Sequence, residues 1–307
     1  MSKFFNQIWY YLLLGLTFVL VIVAIKKLYL KKKQLKEGFS QTTRYVLKRN
    51  EDIYDDFYIQ AYDFIYHPAT YTDALLSAIE QNTQATPERS VFLDIGSKTG
   101  KIVRLLSDKG YSAYGVESSV AMNQYTKQYQ STISQACIRG DPADAMLYQR
   151  SSFSHILCLH DTIYHFPDKV VFFRNCYFWL KPGGALVLQL LHKILPELPL
   201  QTKLENKDQN RVGCKSRIKD PFQRDYKTFT FDNKYESLST NEVVYVETFR
   251  DNLSNNIREN ETILYLESTT SIINAALFCR FQVVGKMNLA QTNAEFHNVL
   301  YFLERMN

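Results

Sequence analysis

The chain has 307 residues, 46% apolar and 22% charged, the composition of a globular protein with room for one large domain or two small ones. Its net charge of +5 is unevenly placed: residues 1–50 hold ten Lys/Arg against Glu37 alone, which leaves an excess of four acids over residues 51–307. The folded body therefore lacks the basic face of a nucleic-acid reader, and no nucleic-acid partner is expected, although a sum leaves local patches open to RNA.

The leader comes first. Ile8 to Ile25, "IWYYLLLGLTFVLVIVAI", is 18 residues without a charge. At about 1.5 Å per residue it is about 27 Å long, close to a bilayer core. Trp9, Tyr10 and Tyr11 stand at one end, and Lys26, Lys27, Lys31, Lys32, Lys33 and Lys36 at the other. A cleavable signal would place its charge first, so residues 8–25 read as a retained transmembrane helix after a flank at 1–7. Residues 26–50 read as a basic tether, kept on the cytoplasmic or mitochondrial-matrix side and able to meet anionic lipid headgroups. Residues 51–307 form the body. It opens on "DDFYIQAYDFIY", whose Phe57, Tyr58, Tyr62, Phe64 and Ile65 have the helical spacing of packing residues.

From residue 90 the text alternates. "SVFLDIG", "YSAYGVE", "QACIRGD", "FSHILCLHD" and "ALVLQLL" read as strands. Between them, "KIVRLLSDKG", "SSVAMNQYTKQYQ" (capped by Ser118 or Ser119) and "DKVVFFRNCYFWL" read as helices. Short connections between alternating elements predict a parallel α/β sheet with right-handed crossovers. After His192 the rhythm changes. "YKTFTFDNKYES", "EVVYVETFRDN" and "NETILYLES" predict an antiparallel insertion over about 192–268. "TTSIINAALFCR" then reads as a helix, and "FQVVGKMNL" and "NVLYFLER" as closing strands. Cys137, Cys158, Cys176, Cys214 and Cys279 are odd in number and lack metal-site spacing, so they read as reduced thiols. No metal is expected. The sequons at Asn252 and Asn260 read as unused.

The stretch "VFLDIGSKTG" carries the chemistry. A glycine-bearing loop after a first strand lets backbone approach a ligand. Asp94-x-Gly96-x-x-x-Gly100 lacks the dinucleotide spacing, which disfavours an NAD-type oxidoreductase. Glu117 ends the second strand and could accept from both hydroxyls of a ribose, and Asp141 follows the third.

"VFLDIGSKTG", "YGVESSVAM", "RGDPADAM", "FSHILCLHDTIYHF" and "FWLKPGGALVL" together resemble class I S-adenosylmethionine-dependent methyltransferases, over about residues 50–306. The stretch from "RENETILYLES" to "FQVVGKM" resembles methyltransferase-like proteins of large DNA viruses and some protists. The resemblance implies a Rossmann-like, mostly parallel seven-stranded sheet and S-adenosylmethionine as cofactor. It implies Asp94, Gly96, Ser97 and Gly100 against the methionine and ribose, Glu117 on the ribose hydroxyls, Met122 near the adenine and Asp141 on its amine. Leu159 and His160 would line the pocket beyond. His160, Tyr164 and His165 are the catalytic candidates: either histidine as general base, with Tyr164 orienting the acceptor. The plainer alternative pairs those histidines with nearby carboxylates.

Two departures stand out. Lys98 replaces a loop glycine, tolerable if its side chain points outward. Ser154-His155 replaces an acid that serves structure near the start of the fourth strand. Two functions follow: a membrane-anchored methyltransferase of unknown acceptor, or a catalytically inactive methyltransferase-fold subunit of a membrane protein complex, such as a mitochondrial inner-membrane assembly.

Overall fold

The structure, a computed structural model, describes residues 15, 17, 20–26, 41, 43–191, 224–225, 228–239, 241–289 and 298–307. The expected span 8–25 and tether 26–50 lie outside these residues except for 15, 17, 20–26, 41 and 43–50. Residues 20–26 are helical, and Leu20, Val21, Ile22, Val23 and Ile25 are exposed on them. Among the described residues no helix is long and apolar enough to cross a membrane.

The described chain runs β1 (Tyr45–Arg49), α1 (Asp56–Tyr66), α2 (Ala69–Thr83), β2 (Val91–Ile95), α3 (Lys101–Asp108), β3 (Ser112–Glu117), α4 (Val120–Tyr129), β4 (Cys137–Arg139) and β5 (Phe153–Cys158). It continues through α5 (Lys169–Trp179), β6 (Leu180–Leu191), β7 (Arg224–Asp225), β8 (Phe229–Ser237), β9 (Glu242–Asp251), β10 (Ile257–Tyr265), α6 (Thr269–Phe278), β11 (Phe281–Asn288) and β12 (Asn298–Arg305).

The main sheet has seven strands in the order β11-β12-β6-β5-β2-β3-β4. β6, β5, β2, β3 and β4 pair in parallel, and β12 pairs antiparallel with both β6 and β11. The parallel part is the α/β sheet that the alternation predicts, and the count of seven strands is the one the resemblance implies. β5 is central and closed off on both faces by helices. A strand in that place carries side chains into two cores, which is why Ile156, Leu157 and Cys158 run on without a polar break. One core collects Phe172, Phe173 and Trp179 of α5, and the other Leu75, Leu76 and Ile79 of α2 with Val103 and Leu106 of α3. The chain crosses from β2 to α3, and from β3 to α4, at the carboxyl edge of this sheet, where open α/β sheets bind ligands.

Caps fix the helix starts. Ser119 rather than Ser118 caps α4, its Oγ accepting from Met122 N at 3.4 Å. Asp168 caps α5, accepting from Val170 N and Val171 N. The LKPGG segment does not simply stop α5: β6 already begins at Leu180, and residues 181–184 loop out. Phe153 thus faces Leu180 while His155 faces Ala185. Ser154 takes over the task of the missing acid. Its Oγ accepts from Val91 N at 2.8 Å and so ties β5 to β2, while His155 stacks on Phe92 at 4.5 Å.

The antiparallel strands of the predicted insertion add nothing to the main sheet. They build a second sheet in the order β1-β10-β9-β8-β7. Residues 45–49, expected within the tether, are its edge strand, pairing in parallel with β10. The pairing is held by side chains across the strands: Tyr45 OH donates to Glu259 and Arg49 meets Glu261. Phe229, Phe231 and Phe249 of this sheet pack under Tyr58, Ile59 and Tyr62 of α1. The described cysteines 137, 158, 176 and 279 are buried free thiols. Asn260 is fully buried, which takes that sequon out of reach of modification.

One buried cation fastens α1 to the second sheet. Arg258 of β10 is 2% exposed. Its Nη1 donates to both oxygens of Asp55, the cap of α1, its Nη2 to Ile53 O, and its Nε to Asn260 Oδ1. Removing the guanidinium leaves a buried carbonyl and a buried amide unpaired and loosens the cap. Arg258→Ala should therefore lower stability by about 3 kcal/mol in urea unfolding, and Arg258→Lys should recover only part because an ammonium lacks the planar fork.

Candidate active site

The site lies where the β2–α3 loop meets the end of β3 and the face of α1. The loop is tight. Gly96 and Gly100 have φ of +72° and +75°, a region open to glycine. A Cβ on Gly96 would stand 2.8 Å from the Thr162 side chain, and one on Gly100 would stand 2.8 Å from Ile133. Each glycine thus allows a close approach by a neighbouring element. The N–H groups of Gly96 and Ser97 both donate to Val116 O, and that of Lys98 to Glu117 Oε2 at 2.9 Å. Thr99 Oγ1 donates to Asp63 Oδ1 at 2.5 Å, which ties the loop to α1.

Two carboxyls close the strand ends. Asp94 is 4% exposed and Glu117 1%. Burial, and then the neighbouring charge of Glu117, push the Asp94 carboxyl up to about 8. Asp94 is thus protonated at neutral pH. Glu117 is met by a backbone amide and a cation. Its Oε1 accepts from Ser119 N at 2.8 Å, and its Oε2 lies 3.7 Å from the Lys98 ammonium.

The Lys98 side chain points inward, contrary to the expectation that a tolerated lysine would point outward. Its residue sits at φ +50°, its Nζ is 3.5 Å from Tyr54 OH and 5.2 Å from the centre of the Tyr54 ring, and only 14% of the side chain is exposed. Burial works against its charge, but Glu117 and Tyr54 outweigh it and hold the ammonium well above the usual lysine range. Lys98 covers the carboxylate that the resemblance assigns to a ribose.

The remaining expected residues divide. Ser97 is buried in the loop beside Asp94 and Glu117. Met122 is fully buried among the residues of α1 and the second sheet, and Leu159 packs into the core under α2 and α3. Asp141 is exposed and accepts from Ala143 N at 2.9 Å, closing its own turn. Tyr164 belongs to the main core, and its hydroxyl accepts from Leu191 N at 3.0 Å. His165 reaches the site, with Nε2 3.6 Å from Asp161 Oδ2. Burial works to raise the Asp161 carboxyl, yet the His165 hydrogen bond and the nearby cations hold it down to about 2. His160, at φ +56°, lays its ring 4.7 Å from that of His67. Both His67 ring nitrogens and His160 Nε2 are buried without a hydrogen-bond partner among the described residues. Burial lowers the His160 imidazole to about 4, so it is neutral.

A small, open pocket adjoins Lys98. Tyr54, Tyr58, Tyr62 and Tyr66, Asp161, His165, Tyr245 and Glu247 line it. The tyrosines and Glu247 went unread as site residues in the sequence. The signal for them is a tyrosine at every fourth position from 54 to 66, one face of a helix. A second is an acid at 247 that period two sets on the buried face of β9, between Tyr245 and Phe249. Glu247 accepts from Tyr66 OH at 2.5 Å, Tyr58 OH at 3.0 Å and Asn260 Nδ2 at 3.3 Å. Burial still pushes its carboxyl up to about 7, against the pull of these donors. Among the described residues no cluster has the make-up of a metal site.

Comparison with known proteins agrees with this geometry. Residues 93–188, from β2 to β6, match the family model described as a methyltransferase domain. No curated protein sequence matches the chain. Among solved structures, an S-adenosylmethionine-dependent methyltransferase from Clostridium acetobutylicum is 14% identical with a TM-score of 0.58, covering 81% of this chain and 97% of its own. An amino pentose methyltransferase from Micromonospora echinaspora, solved with S-adenosylmethionine bound, is 16% identical with a TM-score of 0.54, covering 84% and 100%. A glycopeptide N-methyltransferase complexed with S-adenosylmethionine is 14% identical with a TM-score of 0.51, covering 90% and 96%. At these identities the likeness is one of fold.

The Asp94 proton has a measurable consequence. Between the ordinary carboxyl value near 3.8 and about 8, the folded chain holds a proton that the unfolded chain releases. Its contribution to stability is full below the lower value and is lost as pH rises toward the upper. The urea midpoint of wild type should fall between pH 5 and 8 more steeply than that of Asp94→Asn.

Proposed function

We propose that the chain is an S-adenosylmethionine-dependent methyltransferase held at a membrane by residues 8–25. The observation that carries this is the meeting of Asp94, Glu117 and the Gly96–Gly100 loop at the carboxyl edge of the parallel strands. Fold neighbours solved with S-adenosylmethionine support the choice of cofactor. The donor set fits such a molecule: a carboxylate at the end of β3 suits a ribose diol, and a protonated carboxyl at the end of β2 can ionise opposite a cation. When bound, the cofactor supplies a methyl group on an electrophilic sulfonium.

The protein's own part is positional. The Lys98 ammonium would swing off Glu117, opening Oε2, which still accepts from the Lys98 N–H, to a ribose hydroxyl, and Asp94 would release its proton to solvent as positive charge arrives. Thr99 and Asp63 keep α1 on the loop, and that contact limits water at the reacting centre. Orientation of the acceptor supplies most of the rate, because little proton chemistry is needed at sulfur.

The exposed apolar residues at 20–25 support the membrane anchor, with the lysines after them facing the cytoplasm or a mitochondrial matrix and anionic headgroups. Partner subunits in that membrane belong to the same proposal. A second reading, an inactive subunit of a membrane complex, draws on one observation: Lys98 occupies Glu117, and an ammonium there disfavours a cationic cofactor.

Calorimetric titration of the full-length chain in mild detergent with S-adenosylhomocysteine separates the two readings. The enzyme reading expects binding that Glu117→Ala abolishes and Lys98→Gly tightens about tenfold, since glycine relieves the positive φ and uncovers the acid. No heat from either wild type or Lys98→Gly would leave the subunit reading standing. In a flotation assay with anionic vesicles the full chain should rise with lipid, and a chain lacking residues 1–40 should stay at the bottom.

A further inference from the structure

The pocket beside Lys98 has a chemistry of its own. One wall is aromatic: Tyr54, just before α1, and Tyr58, Tyr62 and Tyr66 of α1 follow one another, with ring centres 5.9 Å apart for Tyr54–Tyr58, 5.9 Å for Tyr58–Tyr62 and 4.8 Å for Tyr62–Tyr66. Tyr245 completes it from β9, its hydroxyl 3.0 Å from that of Tyr66. Its acids are Asp161, just past β5, and Glu247 of β9, and Lys98, His165 and Thr262 line it as well. Aromatic rings backed by carboxylates attract a cation. A cation already stands there: the Lys98 ammonium lies over the Tyr54 ring at 5.2 Å, beside its hydroxyl at 3.5 Å. The chain thus carries an internal example of the ligand its pocket suits.

We propose that this pocket receives the methyl acceptor and that the acceptor is an aliphatic amine, bound as its ammonium between the tyrosine wall and the carboxylates of Asp161 and Glu247. The transfer step rests on the methyltransferase reading; the amine site does not. An acceptor carboxylate would meet like charge from Asp161 and Glu247. An alcohol would gain nothing from the ring faces.

The ordering of the two acids suits an amine. Asp161 stays ionised and pairs with His165, so it serves as counter-charge. Glu247 is buried to 1% and sits at the midpoint of its titration near neutral pH, so it can take a proton. The ammonium passes one proton to the Glu247 carboxylate and becomes a neutral amine. The amine lone pair then forms the new N–C bond as the methyl–sulfur bond breaks, and that bond's electron pair goes to sulfur. The product is a methylated ammonium, with a proton left on Glu247.

The experiment needs no turnover. Full-length chain in detergent, carrying carbon-13-labelled tyrosine, is titrated separately with n-butylamine, n-butanol and sodium butyrate, and the tyrosine ring signals are followed. Butylamine alone should shift a subset of rings at millimolar concentration. Lys98→Ala, which removes the internal ammonium, should bind it about tenfold tighter. Glu247→Gln should weaken it about tenfold, and Tyr54→Leu, outside the Glu247 hydrogen-bond network, provides the same test if Glu247→Gln does not fold. Equal shifts from butanol or butyrate, or no shift from butylamine in both wild type and Lys98→Ala, overturn the proposal. Amine binding without S-adenosylhomocysteine binding keeps the amine site and removes the methyltransferase reading. The reverse outcome, cofactor binding with no amine response, removes the amine acceptor alone.

Discussion

The geometry around the site depends on the buried guanidinium of Arg258. It is a charge nearly sealed from water, made tolerable by an aspartate, a backbone carbonyl and an amide that meet it together. Asp55 is at once the cap of α1 and the counter-ion of β10. The direction in which α1 leaves its first turn is therefore set by the second sheet. From there the helical repeat does the rest: residues four apart share a face, so Tyr58, Tyr62 and Tyr66 arrive over Glu247 in one row. The pocket is a product of two sheets that share no strand, with α1 and the turn at Thr162–His165 packed between them.

The main sheet brings an older problem, two carboxyls side by side in low dielectric. Asp94 and Glu117 cannot both hold a charge there without a cation. The fold resolves this asymmetrically. The loop backbone, Ser119 and Lys98 all turn toward Glu117, and burial beside that carboxyl favours a proton on Asp94. Lys98 brings a compensating charge to this pair. Its positive φ is the conformational cost, of the kind that persists where surrounding structure dictates it.

Much of the fold was legible because it rests on local rules. Apolar β5, the turn at Lys109-Gly110 and the cap at Ser119 are each decided within a few residues. The second sheet was only half legible. β8, β9 and β10 announce themselves by alternation, but their partner β1 lies about two hundred residues away in a stretch whose lysines read as tether, and pairing at that distance leaves no local mark. The site was legible on the main sheet and illegible across from it. Asp94 and Glu117 end strands, which text can show. Tyr164 sits in the same loop as His165, yet a short 3-10 turn over Thr162–His165 sends one ring into the core and the other to the pocket. No periodicity foretells that. Glu247 was hidden because an acid in an apolar strand reads first as an outward residue.

The parallel pairing of β1 with β10 has a mechanical side. Tyr45 to Arg49 register against Ile257 to Glu261, and β10 in turn holds Arg258. Any tension along the chain from before residue 45 would load these inter-strand bonds in shear, all at once, rather than peel them one by one. The strand that bears such a load is the neighbour of the residue that aims α1. A tug on the leader and the shape of the tyrosine wall thus share a single lever arm, about five residues long.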